Sequence, residues 1–201
     1  MTPLLLALAA YLLGSVPTAY LVGRLRGIDL RRHGSGNLGA TNTFRVLGAR
    51  WAVPVLVVDV AKGALPTALF PRLDGTPDWR WALIYGAAAI LGHVFPVYLR
   101  FRGGKGVATA AGVFAALAPG AVLAALVIWL LVVVGTGYVS LASLAAAVGL
   151  VGALVLLGTR PEVLGLGIGA ALFVVWSHRA NIRRLLRGEE HRFGRRASAR
   201  S

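Results

Sequence analysis

Apolar residues along this chain are gathered into long blocks that short polar stretches separate. Met1 to Gly23 carries no charge, and neither does Gly106 to Thr159. Uncharged runs of that length suit helices that cross a bilayer. The pattern predicts seven crossings, over residues 3–24, 51–71, 80–99, 106–118, 120–135, 139–158 and 162–177. Pro119-Gly120, Gly135-Thr136-Gly137 and Arg160-Pro161 punctuate the crowded ones. The fourth segment is short: it reaches about 20 Å across a hydrocarbon core of about 30 Å, and the bilayer is expected to thin around it. The fold class is therefore an all-α integral membrane protein.

Composition agrees. Of 201 residues 57% are hydrophobic and 14% charged, with a mean hydropathy of +0.74, which excludes a soluble globular domain. Lys and Arg number 21 against seven Asp and Glu, a net charge of +14. In a soluble chain that excess would suggest nucleic acid; here its position explains it.

With the N-terminus outside, as expected when the flanking arginines (Arg24, Arg26, Arg31, Arg32) follow the first helix, seven crossings put the C-terminal arginines in the cytoplasm. Only Arg72, Arg80 and Arg160 then lie outside, with Lys62 inside a helix. No nucleic-acid partner is expected. The first segment lacks a basic region before it and reads as a retained helix rather than a cleaved signal. We expect one transmembrane domain over residues 1–201, with a basic tail at about 191–201. With no cysteine there is no disulfide, thiolate nucleophile or Cys-held metal.

Three polar segments fall on the expected cytoplasmic face. The first runs from His33 through Gly34, Ser35, Gly36, Asn37, Leu38, Gly39, Ala40, Thr41 and Asn42 to Arg45. Its glycines allow backbone N–H groups to converge on an anion; Ser35, Thr41 and Asn42 add donors, and Arg45 a planar charge. The second, Arg100 to Thr109, places Gly103, Gly104, Lys105 and Gly106 at the start of an apolar helix. Free N–H groups, the positive helix end and an ammonium would together hold an anion, but this is no nucleotide P-loop, because the glycine spacing differs and no strand precedes it. The third begins at Ser177. Ile182, Leu185 and Leu186 suit a C-terminal helix lying at the headgroup surface, while His178 and Asn181 lie on a neighbouring face.

Inside the membrane, Asp59 and Lys62 stand i, i+3 and read as a mutually neutralising pair. Ser143 either bonds back to its own helix or reaches the polar pocket. His93, before Phe95-Pro96, reads as an interface or packing residue.

These motifs, in this order, resemble the acyl-phosphate:glycerol-3-phosphate acyltransferase family, bacterial integral-membrane enzymes that begin phospholipid synthesis. The resemblance rests on Gly34 to Asn42 with Arg45, on Val58 to Gly63, on Gly92 to Pro96 followed by Gly103 to Thr109, and on His178 to Leu185 with Gly188 and Glu190. Arg192 stands where the family more usually has Lys.

The resemblance implies transfer of a fatty acyl group from acyl phosphate to the 1-hydroxyl of glycerol 3-phosphate, giving lysophosphatidic acid and phosphate. It implies a bacterial inner-membrane location with the active site at the cytoplasmic face, and a transient contact with an enzyme that forms the acyl phosphate. Lys105, Ser143, His178 and Asn181 are expected to be catalytic; Ser35, Gly36, Asn37, Gly39, Thr41, Asn42, Arg45, Gly103, Gly104 and Gly106 are expected to bind substrate. No metal or cofactor is expected.

The chemistry suits those residues. Acyl phosphate is already activated, so gathering two anionic head groups and aiming a hydroxyl supplies much of the rate, up to about 7–11 kcal/mol in ideal cases. Either a donor phosphate oxygen or His178 can act as base; the former is favoured because no carboxylate at a fixed spacing orients the imidazole. The His-x4-Asp pattern of acyl-CoA-dependent acyltransferases is missing. A CDP-dependent phosphoalcohol transferase would need clustered aspartates, and a small-anion transporter would need polar groups at mid-membrane with access from both sides.

Overall fold

In the computed structural model residues 2–193 are described, and most of the expected basic tail, from residue 194 on, lies outside them. Among the described residues the chain is helical, with no strand. It divides into two compact units, Met1–Pro119 and Gly120–Ser201.

The first unit begins with α1 (Pro3–Ser15) and α2 (Thr18–Leu25), two pieces of the single helix expected over 3–24. Pro17 explains the break: it has no N–H to donate and disfavours helical backbone at Val16 before it. α3 (Ala40–Leu47) lies within the stretch read as a loop. α4 (Ala49–Leu69) carries Pro54 and Pro66 within it. α5 (Trp81–Val94) ends before Pro96, short of the expected residue 99, and a single 3-10 turn over Val97–Leu99 follows. α6 (Val107–Leu117) is the short fourth apolar helix.

Small residues set how these helices meet. A Cβ on Gly63 of α4 would strike the Thr109 carbonyl oxygen of α6, and one on Gly112 of α6 would strike that of Val60. Gly14 and Gly92 let α1 and α5 approach in the same way. With lipid as apolar as the side chains, such close backbone packing replaces the hydrophobic drive between helices. The α4–α6 contact also brings Asp59 and Lys62 beside the polar turn that precedes α6.

In the second unit α7 (Pro119–Thr136), α8 (Val139–Leu156) and α9 (Pro161–Ser177) are apolar, and α10 (Arg179–Leu186) is basic and packs against α8 and α9. Pro161 at the start of α9, with Glu162 in its first turn, suits a helix N-terminus. α9 and α10 meet at 58° around His178. Leu186 is 84% exposed, as expected of a helix with an unpaired apolar edge.

Among the described residues, five helical stretches are long and apolar enough to cross a membrane: Pro3–Leu25, Ala49–Arg72, Trp81–Leu99, Pro119–Thr136 and Val139–Leu156. The bent α9–α10 pair raises the number to six, and α6 is a shorter apolar helix.

Candidate functional site

The first polar segment is organised from within. Asp29, ahead of it, accepts from the Arg31 amide and guanidinium over 2.7–3.2 Å. Those bonds hold its carboxyl down to about 2. Arg31 in turn lies over the Tyr20 ring at 4.9 Å. Asn42, fully buried in the first turns of α3, gathers the loop: its Nδ2 donates to the carbonyls of Leu30 (3.2 Å) and His33 (3.1 Å), and its Oδ1 accepts from the Ser35 amide (2.8 Å).

The Asn42 amide group is thus occupied by the loop's own backbone, and its role is to shape the segment that carries Ser35 and Arg45. Gly34 and Gly36 sit at positive φ, +61° and +71°, as the tight path requires. Ser35 and Arg45 are exposed, Thr41 and Asn37 half-buried, and Gly39 caps α3 in extended conformation.

The second segment differs from expectation in one respect. The N–H groups of Gly103 and Gly104 donate to the carbonyls of Val94 (3.0 Å) and His93 (3.1 Å), so they build the turn rather than point at an anion. The chain reaches this pairing through left-handed backbone at Arg100 and Phe101, φ 52° and 62°. Lys105, half-buried, follows at once, and Gly106 at φ +82° opens α6. In this segment the Lys105 ammonium and the first turn of α6 are the groups chemically suited to an anion.

The two segments meet. A Cβ on Gly104 would come within 2.7 Å of the Leu38 carbonyl oxygen, and it would also strike His93 Nε2. A narrow pocket is lined by Leu38, Gly103, Gly104, Asp59, Lys62 and His93 together with the α1–α2 break. His93 is thus buried and packed against the polar turn.

In the second unit His178 stands at the α9–α10 corner and is 3% exposed. Its Nδ1 lies 2.9 Å from the Val174 carbonyl oxygen, which can only accept, so Nδ1 carries the proton and Nε2 is the ring's other nitrogen. A backbone carbonyl orients this imidazole.

Asn181, also buried, donates from Nδ2 to Glu190 Oε1 over 2.8 Å, while Arg184 Nε meets Glu190 Oε2 at 2.8 Å. Burial pushes the Glu190 carboxyl up, but the bonds from Asn181 and Arg184 outweigh it and hold it below its ordinary range. Glu190 is the residue whose part went unread: Gly188, at φ +70°, turns the chain back toward Asn181, and that turn followed by an acid was the available signal. Ser143 bonds back to Val139 O (2.8 Å) and accepts from Trp129 Nε1 (3.4 Å), the first of its two expected readings. Beyond Glu190, the Phe193 amide donates to Gly137 O over 2.7 Å, and Arg192 lies over the Tyr138 ring at 4.9 Å.

Comparison with known proteins points the same way. The family profile described as glycerol-3-phosphate acyltransferase matches residues 4–188. A glycerol-3-phosphate acyltransferase of Geotalea daltonii is 44% identical over 192 residues, covering 96% of this chain and 98% of that one. Two crystal structures of PlsY (YgiH), an integral membrane glycerol 3-phosphate acyltransferase, are also similar. Its glycerol 3-phosphate form superimposes with a TM-score of 0.90 at 42% identity over 96% of both chains. Its lysophosphatidic acid form gives 0.87 at 41% identity, over 96% of this chain and 95% of the other. With a profile match across nearly its whole length, and relatives this similar end to end, the chain belongs to the glycerol-3-phosphate acyltransferase family.

Proposed function

We propose that this protein transfers a fatty acyl group from acyl phosphate to the 1-hydroxyl of glycerol 3-phosphate, releasing lysophosphatidic acid and inorganic phosphate. The observation that carries the reading is the meeting of the Ser35–Arg45 segment with the Gly103-Gly104-Lys105 turn at Gly104 and Leu38. It sets two separate anion-directed elements side by side in a family named for a phosphate-bearing substrate.

Arg45 supplies a bidentate cation for one phosphate, and Lys105 with the α6 N-terminus supplies a point charge and amides for the other. Ser35 and Thr41 add hydroxyl donors, and Gly36, Asn37 and Gly39 let the backbone come close. Asn181, through its second Nδ2 hydrogen, donates to charge that develops on the acyl carbonyl and leaving phosphate, and His178, whose Nε2 is an acceptor, takes a hydrogen bond from a hydroxyl of glycerol 3-phosphate. Attack of the hydroxyl oxygen on the carbonyl carbon breaks the bond to the phosphate oxygen, and the hydroxyl proton passes to a donor phosphate oxygen.

Acyl phosphate is favoured over a thioester because its leaving group needs no further activation and the His-x4-Asp pattern is missing. Direct transfer is favoured over an acyl-serine because the donor is already reactive. Seven crossings, with α6 as the short fourth, a cytoplasmic C-terminus and an inner-membrane location, are supported by the segregation of Lys and Arg.

The test is direct. Detergent-purified protein given labelled glycerol 3-phosphate and palmitoyl phosphate is expected to form lysophosphatidic acid, and to form none with palmitoyl-CoA. Product from the thioester alone, or a trapped acyl-serine, would overturn the donor or the direct route respectively.

A further inference from the structure

Asp59, Lys62 and His93 are 2%, 8% and 7% exposed, and none is needed to touch either substrate in the reaction above. Their contacts form a continuous line. The Lys62 ammonium donates to the Val16 carbonyl at the α1–α2 break (3.0 Å) and pairs with Asp59 Oδ1 (2.9 Å). His93 Nδ1 faces the same carboxylate oxygen at 3.7 Å, an electrostatic approach rather than a hydrogen bond. The opposite ring nitrogen, Nε2, abuts Gly104, while the His93 carbonyl accepts the Gly104 amide at 3.1 Å. One histidine thus holds Gly104 by main chain and by ring, one residue before Lys105.

We propose that Asp59, Lys62 and His93 are positioning residues: the ion pair fixes the His93 ring, and the ring fixes the Gly103–Gly104 turn against Leu38, setting where the Lys105 ammonium and the first turn of α6 present themselves. The proposal rests on the reading of Lys105 as a substrate-phosphate ligand.

Simple charge neutralisation accounts for less. A buried ion pair replaced by uncharged groups of similar shape is often neutral or stabilising for the fold, so stability alone gives little reason to keep a lysine in an apolar helix. Nor does neutralisation require a glycine at 104, where only the missing Cβ lets the imidazole and the Leu38 carbonyl close on the same backbone.

The decisive variant is the double change Asp59→Asn with Lys62→Met, which removes the line of contacts and leaves no lone charge. His93→Gln is the second variant, changing the ring alone. Each is purified in detergent and its thermal unfolding, kcat and KM with palmitoyl phosphate and glycerol 3-phosphate, and amide hydrogen exchange over residues 100–108 are measured.

Positioning predicts unfolding close to wild type, faster exchange at Gly104, and a loss in kcat/KM on the order of 10- to 100-fold, the scale of a small misplacement of a reacting group. Kinetics within about twofold of wild type, or activity lost only in proportion to unfolded protein with Gly104 exchange unchanged, would overturn it. If the double variant does not fold, His93→Gln is judged by the same criteria. Wild-type protein that forms no product would defeat the functional reading instead, while the exchange rates would still decide whether the three residues hold the turn.

Discussion

Asn181 donates to Glu190 Oε1 over 2.8 Å, so a side chain expected to act on substrate is itself aimed by a carboxylate nine positions further along. The same carboxylate takes Arg184 on its other oxygen, and the Glu190 side chain is only 5% exposed. Removing it takes this partner from buried Asn181 and from Arg184, whose side chain is 32% exposed, and the Asn181 bond to the carboxylate contributes about 1.5–3 kcal/mol. Glu190→Ala is therefore expected to lower the unfolding temperature and to reduce kcat more than tenfold, because Asn181 loses its orientation. Unfolding scans and initial rates on the same preparation check both parts.

That carboxylate also gives the second unit a pH dependence of known sign. Its folded value lies below the ordinary one near 4.5, so its contribution is fully present above that value and is lost as pH falls through the folded value. Glu190→Gln has no such titration. The stability gap between wild type and Glu190→Gln should be constant from neutral pH to about pH 5, then narrow on further acidification. Unfolding temperatures measured in steps across that range test it; a gap that widens in acid would refute the assignment.

Asn42 gives the clearest case of a site residue that works on its own backbone. Its three bonds to Leu30, His33 and Ser35 define the segment that carries Ser35 and Arg45. Asn42→Ala leaves those backbone groups without the side chain, at about 1–3 kcal/mol for each buried one left unmet. The expected result is a higher KM for glycerol 3-phosphate together with reduced stability. Asn42→Asp should act like alanine rather than like wild type, since it keeps the acceptor but loses both donations.

How much of this could be read beforehand follows the range of the interactions. Apolar blocks are a local signal, and each expected segment is helical, including the short one at Val107–Leu117. Pro17 was equally local, yet the first segment was read as one helix and the break at Val16 was passed over. α3 went unread because Ala40–Leu47 is too short and polar to show an apolar period, and Asn42 and Gly39 stabilise it through contacts within the loop. Ser35, Arg45 and Lys105 were singled out because glycine-rich turns with a cation suit anion chemistry, and the structure brings their two segments together at Gly104 and Leu38. The Gly103 and Gly104 amides were misread as open, since their partners lie on Val94 and His93, across a turn that depends on left-handed backbone at Arg100 and Phe101.

Gly112 offers a test of the packing that carries this site. A Cβ there would overlap the Val60 carbonyl oxygen, and backbone cannot move aside as a side chain can. Gly112→Ala should force α4 and α6 apart, with a destabilisation of about 1–3 kcal/mol. Gly152, which has open space around it in the second unit, is the control: Gly152→Ala should leave unfolding unchanged or slightly raise it, alanine being the better helix former. Equal effects at the two positions would show that close approach is not what Gly112 supplies.

Lys105, Arg45 and His178 separate binding from proton transfer. Lys105→Ala and Arg45→Ala remove charges from a polar turn and from α3, segments whose shape is held by other residues, His93 for the first and Asn42 for the second. Both proteins should fold normally and lose at least about 100-fold in kcat/KM.

His178 differs because its Nδ1 is committed to Val174 O, a backbone carbonyl that fixes the ring where a triad would use a carboxylate. If the donor phosphate takes the proton, His178→Gln keeps a hydrogen-bonding group at the α9–α10 corner, loses rate, and retains the wild-type shape of the pH–rate profile. If the imidazole is the base, an acid limb in kcat/KM disappears with the ring. Profiles of the two proteins measured side by side decide between them, and the carbonyl partner leads us to expect the unchanged shape.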